Sequence, residues 1–156
     1  MSIYDALLES HQKQRRLSDL LVARNGADDG LAKLFDELKA ELQFHAASEE
    51  RFFYVPLLEH DETQGMARHS ISEHHEIDEM IDELEQTQAT APDWKEKAAA
   101  LRKRVHHHLE EEEEKIFPGA KEVLGEAESE ELERGYRGEI RERASGEVET
   151  RSSVDV

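Results

Sequence analysis

Leu38-Lys39-Ala40-Glu41-Leu42-Gln43-Phe44-His45-Ala46-Ala47-Ser48-Glu49 decides the fold, because its apolar positions hand one helical face over to two ionisable residues. Extended both ways, the face reads Leu31, Phe35, Leu38, Leu42, His45, Glu49, Phe52 and Pro56, in alternating steps of four and three. That is the spacing of a seam facing a partner helix. A second stretch repeats it: Trp94, Ala98, Leu101, Val105, His108 and Glu112 follow the same steps, with Ile116 four residues further on, again with a Glu four residues after a His. The two stretches read as internal copies, each burying a histidine–glutamate pair.

The rest of the chain supplies two more helices. Gly and Pro are few and fall mostly between stretches rich in Leu, Ala, Glu, Lys and Arg, the best helix formers. The first helix covers about residues 3–24 and stops at Asn25-Gly26. The second starts near Leu31 and runs to about Glu59, with Pro56 as a kink or terminator and His60 to Gly65 as the next loop. A third covers about 66–88. Thr90-Ala91-Pro92-Asp93 then offers an N-cap and a first-turn proline for a fourth helix, about 93–117, which Pro118-Gly119 stops. Short connections between long helices favour antiparallel neighbours, so the expected fold is all-α, an up-down-up-down four-helix bundle over residues 1–118. Residues 119–156 read as an acidic, polar extension. It holds one weakly apolar helix over about 127–144 (Leu132, Tyr136, Ile140), no more than an appendage, then a frayed tail.

Buried Glu49 and Glu112 need counter-charges, since an unpaired carboxylate taken out of water costs several kcal/mol or neutralises itself. A metal ion is an efficient counter-charge. The other two helices each present one seam histidine: His11 among Leu7, Leu8, Leu17 and Leu21, and His74 among Ile71, Ile77, Ile81 and Leu84. His75 lies about 100° round the helix and is expected outside. His106, His107 and most of Glu110 to Glu114 read as a solvated face. Four His and two Glu thus converge on the interior. Six N/O donors can hold two transition ions if each receives two imidazoles and both carboxylates bridge. Iron suits on redox grounds, and zinc or manganese, which accept the same donors, stand behind it.

The balance of 20 Lys+Arg against 38 Asp+Glu, a net charge of −18, opposes nucleic acid and anionic membrane surfaces as partners. With no cysteine, thiolate zinc sites, iron–sulfur clusters and cysteine nucleophiles drop out. No phosphate-binding Gly-rich loop or G-x-S-x-G elbow is found. No apolar run reaches the length of a membrane span, and the first residues do not read as a signal peptide, so the expected location is the cytoplasm.

Through His11, His45-Ala46-Ala47-Ser48-Glu49, His74 and His108-Leu109-Glu110-Glu111-Glu112, the chain resembles the hemerythrin-like family of HHE cation-binding domains. The likeness covers about Ile3 to Pro118 and includes the sequels Phe52-Phe53-Tyr54-Val55-Pro56 and Lys115-Ile116-Phe117-Pro118. It implies a four-helix bundle around a non-haem di-iron centre, with His11 and His45 on one iron, His74 and His108 on the other, and Glu49 and Glu112 bridging. The small histidine set leaves coordination positions open, so the expected function is a di-iron protein that binds or reacts with O2, peroxide or nitric oxide; the alternative is an iron- or oxygen-sensing module whose metal state controls a protein partner that the residues do not identify. The sequence departs from the oxygen-carrying members: Ser70 stands where they place a further histidine, and their second carboxylate is an aspartate one step after Glu112. His69 is a candidate extra ligand, with Glu73 and Glu113 in reserve.

Overall fold

The computed structural model describes residues 1–24 and 29–146. The expected Asn25-Gly26 stop and most of the expected frayed tail lie outside these residues. Every regular element among the described residues is helical: α1 (Ile3–Ala23), α2 (Asp29–Glu49), a π segment (Glu50–Tyr54), α3 (Val55–Leu58), α4 (Asp61–Gln86), α5 (Trp94–Glu111), a second π segment (Glu112–Ile116), α6 (Phe117–Val123) and α7 (Glu126–Ala144). None of these helices is long and apolar enough to cross a membrane.

Local chemistry sets the ends. A capping box opens α1: Ser2 Oγ accepts from the Asp5 N–H at 3.3 Å while Asp5 accepts from the Ser2 N–H at 3.0 Å. His60, in extended backbone, is the N-cap of α4, and Asp61 and Glu62 occupy the first turn, where the positive end of the helix dipole favours them. The expected loop over 60–65 is therefore mostly helix. Pro92 falls in the turn before α5, ahead of the first helical turn where the sequence placed it.

Cross-helix pairs run in opposite numerical order, as antiparallel neighbours require. Lys39 pairs with Glu85 at 2.7 Å and Gln43 with Asp78 at 2.9 Å between α2 and α4. Arg102 meets Asp19 at 2.7 Å, whereas Glu113, just beyond α5, meets Arg15 at 3.0 Å. Two apolar clusters fill the helical bundle. One gathers Ile3, Leu7, Phe53, Tyr54, Leu57, Ile71 and Phe117, and the other Leu17, Leu21, Leu38, Leu42, Ile81, Leu101 and Val105. On each of α1, α2, α4 and α5 the seam histidine stands where one cluster gives way to the other.

The π segments follow the two His-x-x-x-Glu stretches. Each is closed by a bond from i+5 to i: Val55 N–H to the Glu50 carbonyl, and Phe117 N–H to the Glu112 carbonyl. The wider turn takes up one extra residue, so after Glu49 the buried positions are Glu50, Phe53, Tyr54 and Leu57, while Phe52 and Pro56 are only half-buried. The expected seam through Phe52 and Pro56 is corrected accordingly. Pro56 and Pro118 each come one residue after the wide turn, in the first turn of α3 and of α6, where no N–H is needed. Pro118-Gly119 therefore does not end the helical path, which continues to Val123.

The appendage reading of the extension is also overturned. Leu132, Tyr136 and Ile140, spaced by four, form one apolar stripe that packs on the first cluster. The Ile3 N–H donates to Ser129 Oγ at 3.3 Å, Arg137 pairs with Glu9 at 2.8 Å and Arg51 with Glu139 at 3.0 Å. Gly135 lets α7 lie close against the first π segment, because a Cβ there would run into the ring of Phe52. We expect Gly135→Val to lower stability by about 1–3 kcal/mol through this overpacking, read as a lower midpoint in denaturant unfolding.

Candidate metal centre

All six residues singled out by the seams come together. His11 (α1), His45 and Glu49 (α2), His74 (α4), His108 (α5) and Glu112 (the first residue of the second π segment) are each no more than 6% exposed. They form two groups, His11–His45–Glu49–Glu112 and Glu49–His74–His108–Glu112, each with donor atoms within 4.8 Å of one another. Glu49 and Glu112 belong to both. Glu49 Oε2 lies 3.3 Å from His45 Nε2 and its Oε1 lies 3.0 Å from His74 Nε2. Glu112 Oε1 lies 3.1 Å from His11 Nε2, and its Oε2 lies 3.7 Å from His108 Nε2. His75 is exposed, as its register requires.

The outward nitrogens are all engaged. His11 Nδ1 bonds Glu113 at 2.7 Å, His74 Nδ1 bonds Glu50 at 2.6 Å and His108 Nδ1 bonds Glu73 at 2.8 Å. His45 Nδ1 bonds the Tyr136 hydroxyl at 2.9 Å. A carboxylate only accepts, so it places a proton on Nδ1 and turns Nε2, the nitrogen left to bind a metal, toward the interior. There the bonding stops. The Nε2 atoms of His11, His45, His74 and His108, both oxygens of Glu49 and Oε1 of Glu112 are buried without a hydrogen-bond partner. Each such atom costs about 1–3 kcal/mol if left unmet, so their concentration at one place favours a ligand there. Tyr54 donates its hydroxyl proton to Glu112 Oε2.

The charges show the same strain. Burial disfavours the His11 imidazolium, but Glu112, Glu113 and Glu49 outweigh it and hold its pKa well above the ordinary value. Burial is likewise outweighed at His74, which Glu49 and Glu50 lift to about 9. His45 and His108 are pulled down, chiefly by burial. Burial and the neighbouring Glu49 push the Glu112 carboxyl well up; Glu49, although buried, is held well down by His45, Glu112 and His11. The two carboxyls are thus driven apart, Glu112 toward its neutral form and Glu49 toward its anion. Imidazole and carboxylate donors without a thiolate fit iron, manganese or zinc, so the residues present fit the metal group the sequence implied.

Three expectations change. His69 is not drawn into either group: α4 stays regular, the ring lies more than half exposed, and it meets Glu73 and Glu111 on the outside. Glu73 and Glu113, reserve ligands in the sequence, instead hold Nδ1 atoms. Glu50 and Tyr136 were not legible as orienting groups. A doubled Glu49-Glu50 was the available signal for the first, because the wide π turn lets adjacent residues both face inward; Tyr136 offered none. Tyr136→Phe is expected to weaken metal affinity about 10-fold by freeing the His45 ring, as measured by competition with a chelator.

A model of the hemerythrin HHE cation-binding domain matches residues 2–120. No curated protein matches. The fold is hemerythrin-like: a crystal structure of a hemerythrin HHE cation-binding domain-containing protein from Mycobacterium kansasii superposes with a TM-score of 0.84 over 94% of this chain and 89% of that one, at 22% identity. With residues 2–120 covered by the family model, the chain belongs to the hemerythrin HHE cation-binding domain family.

Proposed function

We propose that this chain is a non-haem di-iron-binding protein that binds or reacts with O2, peroxide or nitric oxide. The observation that carries the reading is the set of seven orphaned donor atoms facing one another in two groups that share Glu49 and Glu112. In this reading His11 and His45 hold one iron, His74 and His108 the other, and the two carboxylates serve both. The antiparallel pairs support an up-down-up-down four-helix arrangement over residues 1–118, with 119–156 as its extension. When bound, two adjacent irons supply two-electron redox exchange with a small ligand.

The chain's own residues set the conditions for that chemistry. Apolar clusters above and below keep bulk water away, and the four Nδ1 bonds fix ring orientation before metal arrives. A cavity of about 30 Å³ reaches His45, His74 and His108 between Leu42, Ile77 and Ile81. Such a space admits one or two water-sized groups, which suits a diatomic or peroxide and excludes larger substrates. The net charge of −18 supports a protein that binds neither nucleic acid nor membrane, in keeping with a cytoplasmic location. The test is optical: the iron-loaded protein is mixed in turn with O2 after reduction, with hydrogen peroxide and with nitric oxide. A spectral change with at least one, or peroxide consumption, is expected; an inert loaded centre toward all three overturns the reading.

A sensing role is favoured by one further observation, the bond from Tyr136 of α7 to His45. Metal state then reaches α7 directly, and through it a partner. Hydrogen exchange in α7 that slows on iron loading supports this alternative, and identical exchange with and without iron contradicts it.

A further inference from the structure

The exposed His69 lies outside the buried centre but not alone. Its Nε2 is 3.6 Å from Glu73 Oε2, one turn on in α4, and 3.6 Å from Glu111 Oε1 at the end of α5. Together these three residues form a group whose donor atoms lie within 4.8 Å of one another. Glu111 is held in place by its other oxygen, which lies 3.2 Å from His107 Nε2. The separations exceed a hydrogen bond and approach the roughly 3–3.5 Å between donors that share one cation at about 2.1 Å each. Glu73 adds an independent observation. It is only 4% exposed, it gives Oε1 to His108 Nδ1 at 2.8 Å, and it aims Oε2 into this cluster at a distance too long for a hydrogen bond. An open cavity of about 340 Å³, lined by Gly65, Met66, His69, Glu111 and Lys115, gives the cluster access to solvent.

We propose that His69, Glu73 and Glu111 form a second, solvent-facing site for a single divalent transition cation, steadied by His107, and that it is the landing place for cations bound for the buried centre. One imidazole and two carboxylates suit Fe2+, Mn2+ or Zn2+, and the acidic surface concentrates cations around it. Glu73 joins the two places, since one of its oxygens faces the surface cation and the other holds the ring of His108. Lys115 opposes a cation in the same cavity, so the site is weaker than the buried one and can let its cation go. The site itself does not depend on the two-iron reading; its landing role does.

The experiment uses the full chain and Mn2+, whose free ion is followed by electron paramagnetic resonance. Wild type is expected to take up one more Mn2+ per chain than His69→Asn/Glu111→Gln, a pair of changes that leaves the buried donors and Glu73 untouched. Lys115→Gln is expected to bind that ion severalfold more tightly. Equal Mn2+ uptake by wild type and the double variant, with both folded, overturns the site. For the landing role, iron uptake by the metal-free double variant is expected to be severalfold slower than wild type with the same final content. Equal uptake rates overturn that role and leave the site standing. If neither protein takes up buried iron, the landing role falls together with the two-iron reading, and the one-ion difference in Mn2+ remains.

Discussion

Glu112→Gln is expected to stabilise the metal-free protein by about 1–2 kcal/mol while lowering metal affinity by at least about 100-fold. The two effects have opposite signs because they act on different states. Without metal, Glu112 sits fully buried beside Glu49, and burial together with that neighbouring carboxylate favours its neutral form. An amide of the same shape still accepts from Tyr54 and can donate to Glu49, with no charge to suppress. With metal, the lost anion is one that both groups of donors share. Chemical denaturation of the metal-free proteins checks the first effect and chelator competition the second. A variant that is destabilised when metal-free and still binds metal normally would mean that Glu112 is an ordinary core residue. Centres that bind metal are commonly built at the expense of stability, and this substitution separates the two.

Metal loading is expected to raise the melting temperature by about 8–16 °C, which corresponds to about 4 kcal/mol at a thousandfold excess over Kd. Its pH dependence follows from the shifted groups. His11 and His74 are raised, so the stability their imidazolium forms lend the metal-free fold is complete below the ordinary histidine range and lost as pH climbs through about 9, the value at His74. Glu112 is also raised; its neutral form favours the fold at low pH and its ionisation costs stability as pH rises. The metal-free protein therefore weakens from neutral pH toward pH 9. The loaded protein behaves oppositely. Protons compete for the same donors, so acidification through the histidine range releases metal and loosens the bundle. At pH 7 loading displaces at least one proton, the one that His74 carries with its pKa lifted to about 9, and the raised His11 and Glu112 add to that release. Titration calorimetry in two buffers of different ionisation enthalpy reads that number directly, and a heat independent of buffer contradicts it.

The six donors were legible because helical periodicity projects onto one face whatever the surrounding detail. His45 and Glu49 continue the Leu38–Leu42 stripe, and His108 and Glu112 continue Leu101–Val105, so burial followed from register alone. His74 rather than His75 was fixed by the same means. What escaped was the local change of period. A π segment adds one residue to a turn, and nothing in Glu50-Arg51-Phe52-Phe53-Tyr54 tells which of two adjacent phenylalanines faces in until the bond from Val55 to Glu50 is seen. The wide turn also explains why Pro118-Gly119, an ordinary stop signal, sits inside a continuing helical path. Tyr136 escaped for another reason. Its position against His45 depends on α7 docking across α1 and α2 at a sequence separation of 91 residues, which no local pattern encodes. The short apolar stripe of α7 read as too weak to pack because it is judged alone; Gly135 and the ion pairs from Arg137 and Glu139 complete the contact.

The most direct test of a two-metal centre is elemental analysis with an ultraviolet–visible spectrum on protein made in iron-rich medium, comparing wild type with a His108→Ala/Glu112→Ala variant. The account predicts about two irons per chain and near-ultraviolet charge-transfer bands in wild type, both lost in the variant. Wild-type protein that carries no metal, with a variant indistinguishable from it, would contradict the account and leave the buried histidines and glutamates as a structural network.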